Sequence, residues 1–166
     1  MKKIYYLMVV ATIISLSCQT KTKTVPVDSA AAKIAVTTLL DKYNSAWNAK
    51  DVLTMTALLT DDGLFCGTDP SELMDKKTLS AGWTQAMSDT SMNFNYSLDK
   101  REIRIAADGN SAIALEQFYM KAICPKIPAR LIFHIVKSGD NWMIDFLSWS
   151  LIPKNEDIPK LNAALE

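Results

Sequence analysis

From Met92 to Ile152 the chain is a succession of four β-type runs, and no helical pattern interrupts them. The runs are Met92 to Ala106, Ser111 to Cys124, Ala129 to Lys137 and Trp142 to Ile152. Asp108-Gly109-Asn110 and Ser138-Gly139-Asp140-Asn141 have the composition of tight turns. The helical patterns lie upstream. Val36, Leu40, Tyr43 and Trp47 are spaced four, three and four apart, which is one face of a helix. Asp51 is placed to cap a shorter helix from Val52 to Leu59, and a third helix is expected from Asp75 to Met87. Between these two lies "GLFCG", a short β-like run. Helices and strands that come in blocks, without alternation, imply an α+β fold: an antiparallel sheet with about three N-terminal helices on one face.

The stretch "LLTDDGLFCGTDPSELMDKK", Leu58 to Lys77, concentrates Asp61, Asp62, Asp69, Glu72 and Asp75. Asp69-Pro70-Ser71-Glu72 has the pattern of a capping box, with Pro70 at the first helical position, and predicts a helix start. Asp61 and Asp62 are expected in the turn before the strand. No histidine stands near with metal-ligand spacing, so no metal site is expected. Lys and Arg balance Asp and Glu at 18 each. Without a basic field, nucleic acid is not an expected partner.

The N-terminus is of another kind. Lys2-Lys3 precedes an uncharged apolar run, Ile4 to Leu16, shorter than the roughly 20 residues of a membrane span and typical of a secretory h-region. Ser17-Cys18 follows, and resembles the lipobox of bacterial lipoproteins, although Ser15 stands where leucine is preferred. The expected organisation is a lipoprotein signal peptide over 1–17, with Cys18 as the acylated residue. A polar tether over 18–27, a folded domain over 28–155 and a polar tail over 156–166 complete it. This places the protein at the bacterial cell envelope, lipid-anchored to a membrane. Gln19, where inner-membrane retention uses aspartate, favours the outer membrane. Cys66 and Cys124 are left as either a disulfide or two small buried thiols.

Four segments carry a resemblance to a known family. "YNSAWNAKDVLTMTALLTDD", "FCGTDPSE", "AIALEQF" and "GDNWMIDFLSWSLIP" resemble SnoaL-like domains of the nuclear transport factor 2-like superfamily, particularly exported bacterial members. The resemblance runs from about Val36 to Asn155. It implies a cone: a curved sheet wrapped around the helices, with a concave apolar pocket at its open end. It also implies that Phe146, Ser148 and Ser150 face into the cone, with Asp145 outside or at an interface. Many relatives carry histidines where this chain has Phe146 and Ser148, which argues against carrying over cyclase or isomerase activity.

Candidate site residues follow from strand faces. Glu116 shares a face with Ala114, Phe118 and Met120, and an acid there needs a partner; Arg130 on the next strand is the expected one. Glu116 is then a structural ion-pair member, a ligand contact or a general acid/base. His134 shares the face of Arg130 and Ile132. Tyr43, Trp47, Trp83 and Phe118 are core residues or pocket wall. Three functions compete: a non-catalytic, membrane-tethered domain holding a small apolar or amphipathic molecule without a cofactor; an isomerase, cyclase or hydrolase using Glu116 or His134; and an interaction module. A homodimer is expected through an outer face of Leu131, Phe133, Ile135, Leu147 and Trp149.

Overall fold

A computed structural model describes residues 29–165; the expected leader, Cys18 and the whole of the tether lie outside the described residues. Helix α1, Ser29–Asn48, buries Val36, Leu39, Leu40, Tyr43, Ala46 and Trp47 along one stripe. It closes with a Schellman motif: Asp51 N–H donates to the Ala46 carbonyl at 2.8 Å and Lys50 N–H to the Trp47 carbonyl at 2.9 Å. Lys50 takes the left-handed position, φ 58°, usually given to glycine. Its ammonium donates to the carbonyls of Asp89 and Met92. Asp51 then caps α2, Val52–Ala57, by accepting from Thr54 N–H.

Strand β1, Leu59–Cys66, already includes Asp61 and Asp62, which the sequence assigned to the preceding turn. Asp61 is drawn there by Lys76, 2.8 Å away. The expected helix start at Asp69 is replaced by a turn. Asp69 accepts from Ser71 N–H and Oγ–H, and Asp69 N–H donates to Glu72. Only one of the two reciprocal bonds of a capping box forms, since Glu72 N–H donates to the Asp69 backbone carbonyl and not to its side chain, and Leu73–Met74 (β2) then pairs with Phe65 and Cys66. The helix waits for Asp75, which accepts from Thr78 N–H at 2.7 Å and opens α3, Lys76–Ser88. Two ladder residues and a better cap outcompete the Asp-Pro start.

The strands β3 (Tyr96–Ile105), β4 (Ser111–Met120), β5 (Cys124–Ser138) and β6 (Asn141–Leu151) form a meander. The six-stranded sheet has the order β2-β1-β6-β5-β4-β3 and is curved and unclosed. Its β1–β6 pair is parallel, unlike the all-antiparallel sheet expected. The crossover that parallel pairing requires is supplied by everything between the two strands. A Cβ at Gly63 would run into the Phe65 ring and the Asp145 carbonyl, so β1 approaches β6 closely at its irregular register. At the sheet edges stand the two-residue β2 and the charged, irregular β3, which carries Asp99, Lys100, Arg101, Glu102 and Arg104. A 3-10 turn, Asn155–Asp157, and a short helix α4, Ile158–Ala163, end the described chain.

The face assignments on β5 and β6 are corrected. Leu131, Phe133, Ile135, Ile144 and Leu147 are fully buried against the helices. Trp149 is packed against the same core. They are the inside of the cone, not a dimer face. Arg130, Ile132 and His134 pair with Ser150, Ser148 and Phe146 on the outer face. Two causes decide it. The Leu-Phe-Ile face buries far more apolar area than an Arg-Ile-His face would. A register shift leaves Asp145 unpaired between Ile144 and Phe146, reversing the phase of the rest of β6.

Candidate functional site

The helices and the inner sheet face leave a cavity of about 210 Å³ where β1, β6 and the β4–β5 turn end. α1 brings Trp47 to it, α3 brings Trp83, and β6 brings Trp149. Trp47 meets Trp83 edge-on, with centroids 6.1 Å apart at 90°, and lies 4.9 Å from Trp149 at 37°. Trp47 is fixed by its indole N–H, which donates to the Phe94 carbonyl at 3.0 Å. Met74 and Met120 add thioethers to the wall. The room comes from α3: Gly82 and Ala86 line the cavity one turn apart, and a Cβ built at Gly82 meets nothing within 4 Å. Cys66 and Cys124 also line it, as free thiols.

The rim is the Gly67–Glu72 turn. A Cβ at Gly67 would run into the Glu72 carboxylate, so glycine lets that side chain fold back over the turn. One Glu72 oxygen accepts from Asp69 N–H at 3.0 Å. Glu72 carries the only formal charge among the lining side chains, and no ion pair of the described residues includes it.

Glu116 is elsewhere. Its side chain is wholly buried, and its partner is Arg101, not Arg130. Arg101 lies opposite Glu116 on β3 and donates Nε–H to it at 2.6 Å. Asn44 on α1 offers its amide to both carboxylate oxygens, at 3.1 and 3.0 Å, and accepts from the Tyr96 hydroxyl at 2.7 Å. Arg101 also reaches Asp41 at 2.6 Å. Burial pushes the Glu116 carboxyl above its ordinary range, against the opposing pull of Arg101 and Asn44. Burial first, and Glu116 second, drive the Tyr43 hydroxyl upward too. The acid is thus enclosed by partners and does not line the cavity.

Arg130 is on the opposite sheet face, its guanidinium 3.4 Å from Gln117. His134 Nδ1 lies 2.7 Å from Asp145 Oδ1, with the side chains 40% and 29% exposed on the outer face. Among the described residues no serine, threonine or cysteine side chain is hydrogen-bonded to His134, so no nucleophile is activated there. Phe146 and Ser148 are on that face as well. Of the nine candidates, the structure brings only Trp47 and Trp83 to the cavity. Tyr43 and Phe118 stand in the core behind them, 6.1 Å from Trp83 and 5.4 Å from Trp149. Sequence reasoning missed Gly82, Ala86, Met120, Trp149 and Glu72 as lining. The legible signal was Gly82 and Ala86, two small residues one turn apart beside Trp83.

A family model described as a SnoaL-like domain matches residues 36–153. The chain belongs to the SnoaL-like domain family. Solved structures agree on the fold. An NTF2-like protein from Pseudomonas putida superposes with a TM-score of 0.65 at 18% identity, covering 78% of this chain and 92% of that one. A cystatin-like-fold domain from Nostoc punctiforme gives 0.64 at 18%, covering 80% and 85%. An NTF2-like protein from Cytophaga hutchinsonii gives 0.60 at 18%, covering 72% and 98%. No curated protein matches the chain. In this SnoaL-like domain, then, the mouth of the cone is apolar and the buried acid is sealed away from it.

Proposed function

We propose that this SnoaL-like domain is a non-catalytic module that holds a small molecule, tethered to the bacterial cell envelope through Cys18. One observation carries the binding reading: the cavity keeps about 210 Å³ with three indoles in its wall, while the residues suited to proton transfer, Glu116 and His134, lie outside it. Apolar clefts with few polar groups are the usual small-molecule sites, and this one is below their roughly 300–1,000 Å³ range, which favours a small ligand. The isomerase, cyclase or hydrolase alternative loses its two acid/base candidates.

Binding is tested on the full chain in detergent by tryptophan fluorescence against small apolar and amphipathic molecules. Saturable quenching that Gly82→Met abolishes is expected. Absence of any saturable response across the set overturns the reading. The tether is tested by Cys18→Ala and cell fractionation, with loss of membrane association expected. Self-association is proposed through the outer face of β4–β6, where Ile113 is 57% and Ile132 36% exposed beside Phe146. Ile132→Lys should then yield monomers by sedimentation.

A further inference from the structure

We infer that the occupant of the cavity is a small organic cation of the alkylated-ammonium type. This rests on the cavity being a binding site and goes on to its chemistry. Three features point one way. The walls present Trp47, Trp83 and Trp149, whose ring faces carry negative electrostatic potential and attract a cation within about 6 Å of the ring centre. Trp47 and Trp83 meet at 90° and form a corner, with Trp149 tilted against Trp47 at 37°. Polarizable Met74 and Met120 sulfurs extend the same soft surface.

The second feature is charge. Glu72 is the only formally charged lining residue, and no Lys, Arg or His lines the cavity. One of its oxygens takes Asp69 N–H, and the other has no hydrogen-bond partner among the described residues. Elsewhere this chain matches its buried acid with a full set of donors, as at Glu116. A carboxylate left without a counter-charge at the rim of an aromatic corner is complemented by a cation.

The third feature selects the kind of cation. The buried part of the wall, made by Trp47, Trp83, Met120, Leu79 and Ala129, offers no carboxylate or carboxamide to receive N–H donors. A primary ammonium or guanidinium would leave buried donors unpaired. A quaternary ammonium has no donors, spreads its charge over methyl groups, and buries them against apolar walls. A polar remainder of the molecule would leave past Thr68 and Glu72.

The experiment compares choline with its neutral tert-butyl isostere, which has the same shape without the charge. Both are titrated into the full chain in detergent by calorimetry and tryptophan fluorescence. Choline should bind about tenfold tighter at low ionic strength, and salt should narrow the gap. Glu72→Gln, which can still accept from Asp69 N–H, should reduce the preference to about twofold. Gly82→Met should abolish both. Equal affinity of the two probes for the wild type overturns the cation assignment while leaving a small-molecule cavity standing. If neither probe binds but neutral apolar molecules do, the assignment is again overturned alone. If nothing binds, the binding reading falls with it.

Discussion

Two regions of one strand face, four residues apart, have opposite characters. At Glu116 the inner face of β4 carries a charge, and Arg101, Asn44 and, through Asn44, Tyr96 enclose it. At Met120 the same face opens on a cavity whose indoles leave space unfilled. Phe118 stands between them, stacked on Tyr96 at 3.9 Å and edge-on to Trp149 at 5.4 Å. A buried acid usually marks function and an apolar wall usually marks packing. Under the binding reading proposed above the roles are reversed, and the observation behind it is completeness: the acid has its partners and the wall leaves space.

The largest effect that can break this comparison is removal of Arg101. Arg101→Met leaves Glu116 buried without its charge partner and should cost about 3–5 kcal/mol by chemical denaturation. Adding Glu116→Gln should recover part of that loss. If Glu116→Gln alone is harmless to stability but abolishes ligand binding, the closed end is functional and the contrast fails.

The next effect is in pH. The folded Glu116 carboxyl lies above its ordinary value of 4.5 because burial outweighs its partners. The folded state therefore holds that proton more tightly than the unfolded chain. Glu116 favours folding most when protonated, and its contribution is lost as pH rises from 4.5 through the folded value. The exposed Asp51, Asp61, Asp75 and Asp89 act in the opposite sense: hydrogen bonds lower each below 3.8. Their stabilisation is present above 3.8 and is lost as pH falls through their folded values. Melts from pH 3 to 8 on wild type and Glu116→Gln should differ in slope from about pH 4.5 up to the folded value of Glu116 and agree on either side of that window.

At the open end the expected changes in stability are smaller. Gly82→Met adds volume where a Cβ meets nothing and improves helix propensity, so stability should change by no more than about 1 kcal/mol while binding disappears. The smallest effect sharpens the account of the acidic stretch. Asp75→Ala removes the α3 cap and should lower Tm by about 3 °C, whereas Asp69→Ala, which only loosens a turn, should lower it less.

Much of this was legible in the sequence. The α1 stripe, the Asp51 cap, the two hairpins and the α+β order follow from spacing and turn chemistry, which act locally. What failed depends on register. Period-two reading assumes an unbroken strand, and β6 is broken at Asp145 and β3 between Leu98 and Lys100. The first irregularity turned Phe146 and Ser148 outward. The second bears on which β3 side chain meets Glu116, and with it the choice of Arg101 over Arg130. Resemblance to relatives set the faces of β5 and β6 inside out, and the apolar Leu131, Phe133 and Ile135, read as a dimer face, are the buried inner one. The cavity was hard to read because it is an absence: Gly82 and Ala86 matter for the volume they leave out.

The unclosed sheet has a further consequence. A barrel hides every strand rim, whereas here both rims remain, each offering unpaired amides to any passing chain. One rim is only two residues long. The other mixes both signs of charge and breaks its own register. A short rim and a charged, irregular one are poor templates for a long run of hydrogen bonds from another chain. The self-association proposed above would then fall to the flat of the sheet, where side chains and not backbone choose the neighbour.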